Sequence, residues 1–229
     1  MSSLEILYRS DQLIAINKPH GLLVHPSRIA RDADTSAMQL LRDQIGTKVY
    51  PVHRLDRKTS GVLLFALSPE SNAALQKQFH DRQVKKTYHA LVRGFISEEG
   101  EIDYPLTEND KTQDALTYFR LLQHFEIPLP HGKFPTSRYS WVELTPHTGR
   151  FHQLRKHMAH IFHPIIGDRP HGCNKQNKLW KETWGMTSML LHAEQLDVEL
   201  SAGSPLKIHA EKQPIFQQVL NMLSSETLD

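Results

Sequence analysis

Apolar residues in this chain fall in short runs, each cut off by residues that turn the backbone, and that spacing limits the fold before any motif is read. The opening stretch LEILYRSDQLIAINKPHGLLVHP shows it. Leu4 to Tyr8 and Leu13 to Asn17 read as strands, with Ser10 and Asp11 at the turn between them. Thirteen prolines and eleven glycines spread over 229 residues favour many turns over a helical bundle. The expected class is α/β in the α+β sense, a mixed chain of strands and short helices.

The remaining elements follow from the same signals. Ser36 to Ile45 reads as a helix closed by Gly46, and Ser68-Pro69 starts another that runs to about Phe79, burying Ala73, Leu75 and Phe79 in part. Strands are expected at Val49 to Leu55, Val62 to Leu67, Lys86 to Val92, Ala115 to Leu122 and Arg138 to Leu144, with an irregular, proline-bearing stretch over 123–136. In FHQLRKHMAHI, Phe151, Leu154, Met158 and Ile161 share one helical face. Arg169 to Trp184 reads as an exposed loop. Strands at Met189 to Val198 and Leu206 to His209 precede a helix near Pro214 to Leu223. Without an internal repeat or linker, residues 1–229 are expected to form a single domain.

Charge and cysteine content remove several function classes. Twenty-seven Lys and Arg against twenty-five Asp and Glu give a net charge of only +2, so bulk positive charge carries no mechanism here, although a local basic face still can. Cys173, the single cysteine, supplies neither an intramolecular disulfide nor a zinc-ribbon spacing. No signal-peptide layout opens the chain, and no apolar run approaches the roughly 20 residues needed to cross a membrane. A cytoplasmic protein is expected.

The most informative run is His53-Arg54-Leu55-Asp56-Arg57-Lys58-Thr59-Ser60-Gly61. It sets one carboxylate among Arg54, Arg57 and Lys58 at the end of a strand. Cationic neighbours favour the ionised form, which can act as a nucleophile or base. The plainer alternative is a surface aspartate in a salt-bridged turn, and charge pattern alone leaves both open.

HRLDRKTSGVLL closely resembles the catalytic motif of the RluA-type pseudouridine synthases, of form HRLDxxTSGxL. Three more segments resemble the same family in the same order: NKPHGLLVHP (17–26), KKTYHALVRG (85–94) and TGRFHQLRKHMAHIFHPIIGD (148–168). The resemblance implies a mixed, largely antiparallel central sheet flanked by helices. It implies Asp56 as the catalytic carboxylate, Tyr88 as the aromatic that stacks on the target base, and Arg155 as the arginine that pairs with the aspartate. It further implies that Arg54 enters the space vacated by a flipped-out uridine. Arg57, Lys58, Lys85, Lys86 and Lys156 are candidate RNA phosphate contacts, with Arg82 a further available cation.

The residue chemistry is compatible with those roles. Arg155 borders the apolar face of its helix, where a partly buried guanidinium wants a carboxylate, although an arginine beside such a stripe can equally snorkel to solvent. Tyr88 on a strand is by default a half-buried tyrosine, and a rigid ring is also what a base platform requires.

The implied reaction is an isomerisation without redox change, external water or group donor, so no cofactor is expected. Fittingly, the chain carries no Rossmann glycine fingerprint and no phosphate-loop lysine motif. His152, His157, His160 and His163 offer a rival reading as metal ligands, but no HExxH pattern appears and structural histidines are the commoner outcome. No metal is expected.

Within the family, the opening LEILY, RDQIG at 42–46 and FPTSRYSWVEL point to members that act on uridine 65 of tRNA. The chain shows no S4-like RNA-binding module, so substrate choice is expected from the catalytic domain surface, with the 123–136 and 170–186 segments as candidates. RNA, most of all tRNA, is the expected partner, and a monomer the expected state. Another tRNA or rRNA uridine is the first alternative target. An RNA-binding or RNA-folding factor with little catalysis is the alternative of a different class.

Overall fold

The computed structural model describes residues 3–26, 35–200 and 204–228. In chain order the first elements are β1 (Glu5–Arg9), β2 (Leu13–Lys18), α1 (Ala37–Ile45), β3 (Tyr50–Pro51), β4 (Ser60–Ala66), α2 (Pro69–His80) and β5 (Lys85–Arg93). Then come β6 (Glu99–Asp103), β7 (Leu106–Glu108), β8 (Lys111–Gln113), β9 (Leu116–Ile127), β10 (Ser137–Pro146), α3 (Gln153–His160) and α4 (Asn174–Trp184). The last are β11 (Leu191–Glu199), β12 (Pro205–His209) and α5 (Pro214–Glu226). They divide into two compact units, one of residues 1–86 and 193–213, the other of 87–192 and 214–229. Both are built of largely antiparallel strands flanked by helices, which is the class expected.

In the first unit β2 lies between β1 and β4, antiparallel to both, with β3 also on β4 and β12 antiparallel to β11. Every residue of β2 and β4 is buried. A strand covered on both faces reads as a continuous apolar run rather than an alternation, as LIAIN and VLLFA do. Ser36 Oγ accepts the Gln39 N–H to cap α1, and Gly46 ends it at φ 68°. Ser68 Oγ accepts the Ser71 N–H at the start of α2. On that helix Leu75 is buried and Phe79 half-buried, but Ala73 is exposed. Two positions before Leu75 is about 200° round the helix, on the opposite face.

The strand expected over Val49 to Leu55 is cut to Tyr50–Pro51. The Val52 N–H still reaches Leu64 O, but the Leu64 N–H donates to His53 Nε2 at 3.1 Å. An imidazole thus takes a ladder position that backbone would otherwise fill, and the chain turns away there.

The second unit has the order β5-β10-β9-β6, all antiparallel, with Tyr88 opposite Leu144 and Ala90 opposite Val142. β9 continues to Ile127, beyond the expected end at Leu122, because 123–127 pair with Ser137 to Trp141. Only 128–136 of the expected irregular stretch lies between the two strands. β6 escapes sequence reading because Ile102 alone of EGEID is buried. The β7–β8 hairpin turns through Asn109 and Asp110, both at positive φ.

Met158 and Leu154 of α3 pack with Ala90, Val142 and Leu144 on one side of these strands. Phe151 lies before the helix and is exposed, so it does not extend that stripe. Residues 174–184, expected as loop, form α4. Gln176 and Trp180, four apart, are buried; Trp180 Nε1 donates to Tyr139 Oη, which donates to Gln176 Oε1. A single buried Trp among lysines and asparagines is too little apolar signal to reveal a helix. Among the described residues no helix is long and apolar enough to cross a membrane.

Candidate active site

In the first unit, the Asp56 loop hangs between the bend at Val52 and the start of β4. The Thr59 N–H closes a turn on Asp56 O at 3.0 Å, and Thr59 and Ser60 are buried. Asp56, Arg57 and Lys58 are half-buried, while Arg54 is exposed. Just past the turn, Gly61 sits at φ 108°, and a Cβ there would come within 2.1 Å of Ala193 O. Only glycine lets β4 start at this spot.

A second loop braces the first. The Gly21 N–H donates to Arg57 O at 2.8 Å, and Arg57 Nε donates back to Gly21 O at 3.0 Å. Beneath them lies Lys18, the last residue of β2 and 0% exposed. Its ammonium donates to Pro19 O, Leu22 O and Arg57 O, at 3.0, 2.9 and 3.2 Å. Burial pushes the Lys18 pKa down to about 7, against a smaller upward pull from the Asp56 charge. Burial and the charges of Lys18 and Lys58 likewise hold His20 below the usual histidine range.

Lys18 was missing from the expected site residues. The signal was present: a lysine ending a run of otherwise buried strand residues must be matched by oxygens, and the glycine-bearing loop after it supplies two of them.

His53 stacks on Phe79 with ring centroids 4.9 Å apart. Its enclosure, helped by the Lys86 charge, lowers its pKa to about 4, although a backbone bond to Arg54 works the other way. Lys86 is half-buried and its pKa is lowered by burial and by Arg82, so these cations share one neighbourhood; Lys85 is exposed.

In the second unit, Tyr88 is half-buried on β5 and packs against the cluster that includes Leu144, Leu154 and Met158. Of the two outcomes the helical pattern left open for Arg155, the structure has it buried, with 6% of its surface exposed. It makes a bidentate pair with Asp168, Nε to Oδ2 and Nη2 to Oδ1, both at 2.8 Å. Asp168 is 1% exposed, and Asn177 of α4 clamps its loop by donating to Asp168 O and accepting from the Gly167 N–H. The sequence reading named Arg155 but not this partner.

The start of α3 is set by Gln153. Its amide oxygen accepts from Thr148 Oγ1 and the Arg150 N–H, and its amide nitrogen donates to Leu116 O and Thr117 Oγ1. Lys156 is half-buried and lies over the Phe151 ring, 5.7 Å from its centroid.

The clustered histidines have structural work. Both nitrogens of His157 are engaged, by Thr117 Oγ1 and Tyr104 O. His160 stacks on Tyr104, His152 Nδ1 meets His171 Nε2, and His163 Nδ1 meets Arg93 O.

Comparison with known proteins adds the family. A family model described as RNA pseudouridylate synthase matches residues 12–160. The chain is 46% identical to the tRNA pseudouridine synthase C of Vibrio vulnificus (strain CMCP6), covering 94% of each, and 51% identical to the enzyme of that name from Pasteurella multocida (strain Pm70), covering 85% of each. Among solved structures, Human RNA Pseudouridylate Synthase Domain Containing 1 shares the fold, with a TM-score of 0.76 at 23% identity over 99% of this chain and 97% of that one.

Proposed function

We propose, since this chain belongs to the RNA pseudouridylate synthase family, that the RNA it modifies is tRNA and that the uridine it isomerises is number 65. The chain is an RNA pseudouridine synthase. The observation that supports tRNA is the identity of 46% and 51% with two relatives named for tRNA, and uridine 65 rests on the resemblance of LEILY, RDQIG and FPTSRYSWVEL to members that act there.

The catalytic roles are assigned motif by motif. Asp56 is the carboxylate that acts on the target nucleotide, either by attacking the sugar or by removing a ribose proton. The bond from ribose C1′ to N1 of uracil breaks, the base turns, and C1′ bonds to C5. The C5 proton departs and N1 gains one, so the product has the mass of the substrate. Tyr88 supplies the ring against uracil, and Arg155 is the arginine partner of the catalytic carboxylate. Arg54 fills the space left by the flipped base, and Arg57, Lys58, Lys85, Lys86 and Lys156 meet phosphates. Extruding the base costs a few kcal/mol, which phosphate contacts offset.

What supports Asp56 is its setting. A half-buried carboxylate in a turn braced by Arg57, Gly21 and Lys18 needs no reorganisation before reacting, as electrostatic preorganisation requires. The family match crosses both compact units, so we take residues 1–229 as a single catalytic domain. It acts in the cytoplasm as a monomer, without metal or cofactor.

The test is modification mapping. Unmodified bulk tRNA is incubated with the protein alone, treated with a pseudouridine-specific carbodiimide and read by primer extension. A stop at uridine 65, lost with Asp56→Ala while RNA binding persists, is the expected result. A stop elsewhere would replace the target, and no stop on tRNA or rRNA would leave an RNA-binding factor as the better reading.

A further inference from the structure

Among the described residues of the second unit, two surface cavities differ in charge. One, of about 430 Å³, is lined by Glu99, Glu101 and Glu143, with Arg120 as its one cation and Tyr118 and Phe119 beside them. Its carboxylates outnumber its cation, which disfavours a phosphate there. The other, of about 280 Å³, lies along α4 and is lined by Arg169, Asn174, Lys178, Lys181 and Thr187 against a wall that includes Trp180. Among the described residues that line it, none carries a carboxylate.

We propose that this second cavity is a seat for the RNA sugar–phosphate backbone. The proposal rests on RNA being the substrate. A concavity whose polar lining is guanidinium, ammonium, amide and hydroxyl can surround a phosphate with donors. Glu182 sets one opposing charge against this lining, pairing with Lys178 at 3.7 Å. Both partners are largely exposed, so that pair is weak and yields readily to a phosphate.

The architecture explains why the lysines are arrayed as they are. Burial of Gln176 and Trp180 on one face of α4 turns Lys178 and Lys181, three apart, towards the other. The same helix clamps the Asp168 loop through Asn177, and Asp168 holds Arg155. A backbone phosphate seated here therefore docks on the helix that fixes the catalytic arginine. Such contacts set the register of the RNA without reading its bases.

The test compares wild type, Lys178→Ala with Lys181→Ala, and Glu182→Gln. The probe is an unmodified tRNA transcript, its binding followed across salt from about 50 to 200 mM. The double variant is expected to weaken binding about tenfold and to flatten the salt slope by about two, with its unfolding midpoint unchanged. Glu182→Gln should shift affinity about twofold the other way. A folded double variant with the wild-type salt slope overturns the proposal; if it fails to fold, unaltered affinity in Glu182→Gln does so instead. Wild-type protein that binds tRNA through these lysines yet forms no pseudouridine would leave the seat standing and remove the catalytic reading.

Discussion

Asp168 grips Arg155 through two parallel hydrogen bonds of 2.8 Å, and both side chains are almost wholly buried. An arginine on a short helix would otherwise swing through several rotamers. The carboxylate fixes the plane of the guanidinium before any RNA arrives, while Asn177 fixes the loop that carries the carboxylate.

Asp168→Asn should therefore injure the protein twice. Removing the Asp168 charge from a bidentate buried ion pair destabilises by about 3 kcal/mol, seen in urea unfolding. The misplaced guanidinium should lower kcat about 100-fold with little change in KM, measured by single-turnover pseudouridine formation.

Lys18 imposes a pH dependence of definite sign. Its folded pKa of about 7 lies below its unfolded value, so from about pH 7 to 10 the unfolded chain holds the extra proton and stability rises with pH. Below pH 7 both states are protonated and the penalty of the buried ammonium is fully present. Lys18→Met should flatten the difference in unfolding free energy between pH 7 and pH 10. An unaltered slope would show that Lys18 does not titrate there.

His53 acts at the acid end. Its folded pKa of about 4 lies below the unfolded value near 6.5, so its contribution is present above pH 6.5 and is lost as pH falls towards 4. The loss amounts to about 3 kcal/mol at about 1.4 kcal/mol per unit. Protonation also removes the lone pair that accepts the Leu64 N–H. His53→Gln should reduce the difference between unfolding curves at pH 7 and pH 4.5.

Two glycines at positive φ should respond differently to alanine. Gly46 ends α1 in open space, and Gly46→Ala should cost about 1 kcal/mol. Gly61→Ala drives a methyl against the Ala193 backbone and should lose more than about 3 kcal/mol or fail to fold. Paired thermal melts separate strain alone from strain with collision.

The sequence exposed what depends on local rules. Ser36, Ser68 and Gly46 mark helix ends through backbone chemistry that any chain obeys, and β2 and β4 announce themselves as unbroken apolar runs. It hid what depends on partners distant in the chain. α4 is a helix because Trp180 finds Tyr139, 41 residues away. β3 is short because His53 intercepts Leu64. For the candidate site, the motifs proposed Asp56, Tyr88 and Arg155; Lys18 was legible as a lysine closing a buried strand, whereas Asp168 emerges only when the nitrogens opposite it are in view. Supporting residues are less legible than motif residues, since many kinds of side chain can lend support.

Lys18 has one more consequence, for chemical labelling. An amine with a pKa of about 7 is about half uncharged at neutral pH and in that form reacts with acylating reagents, yet no reagent can touch a side chain with 0% exposure. Acylation at Lys18 would thus record only molecules that had opened, and its slow accumulation would serve as a clock for excursions out of the native state.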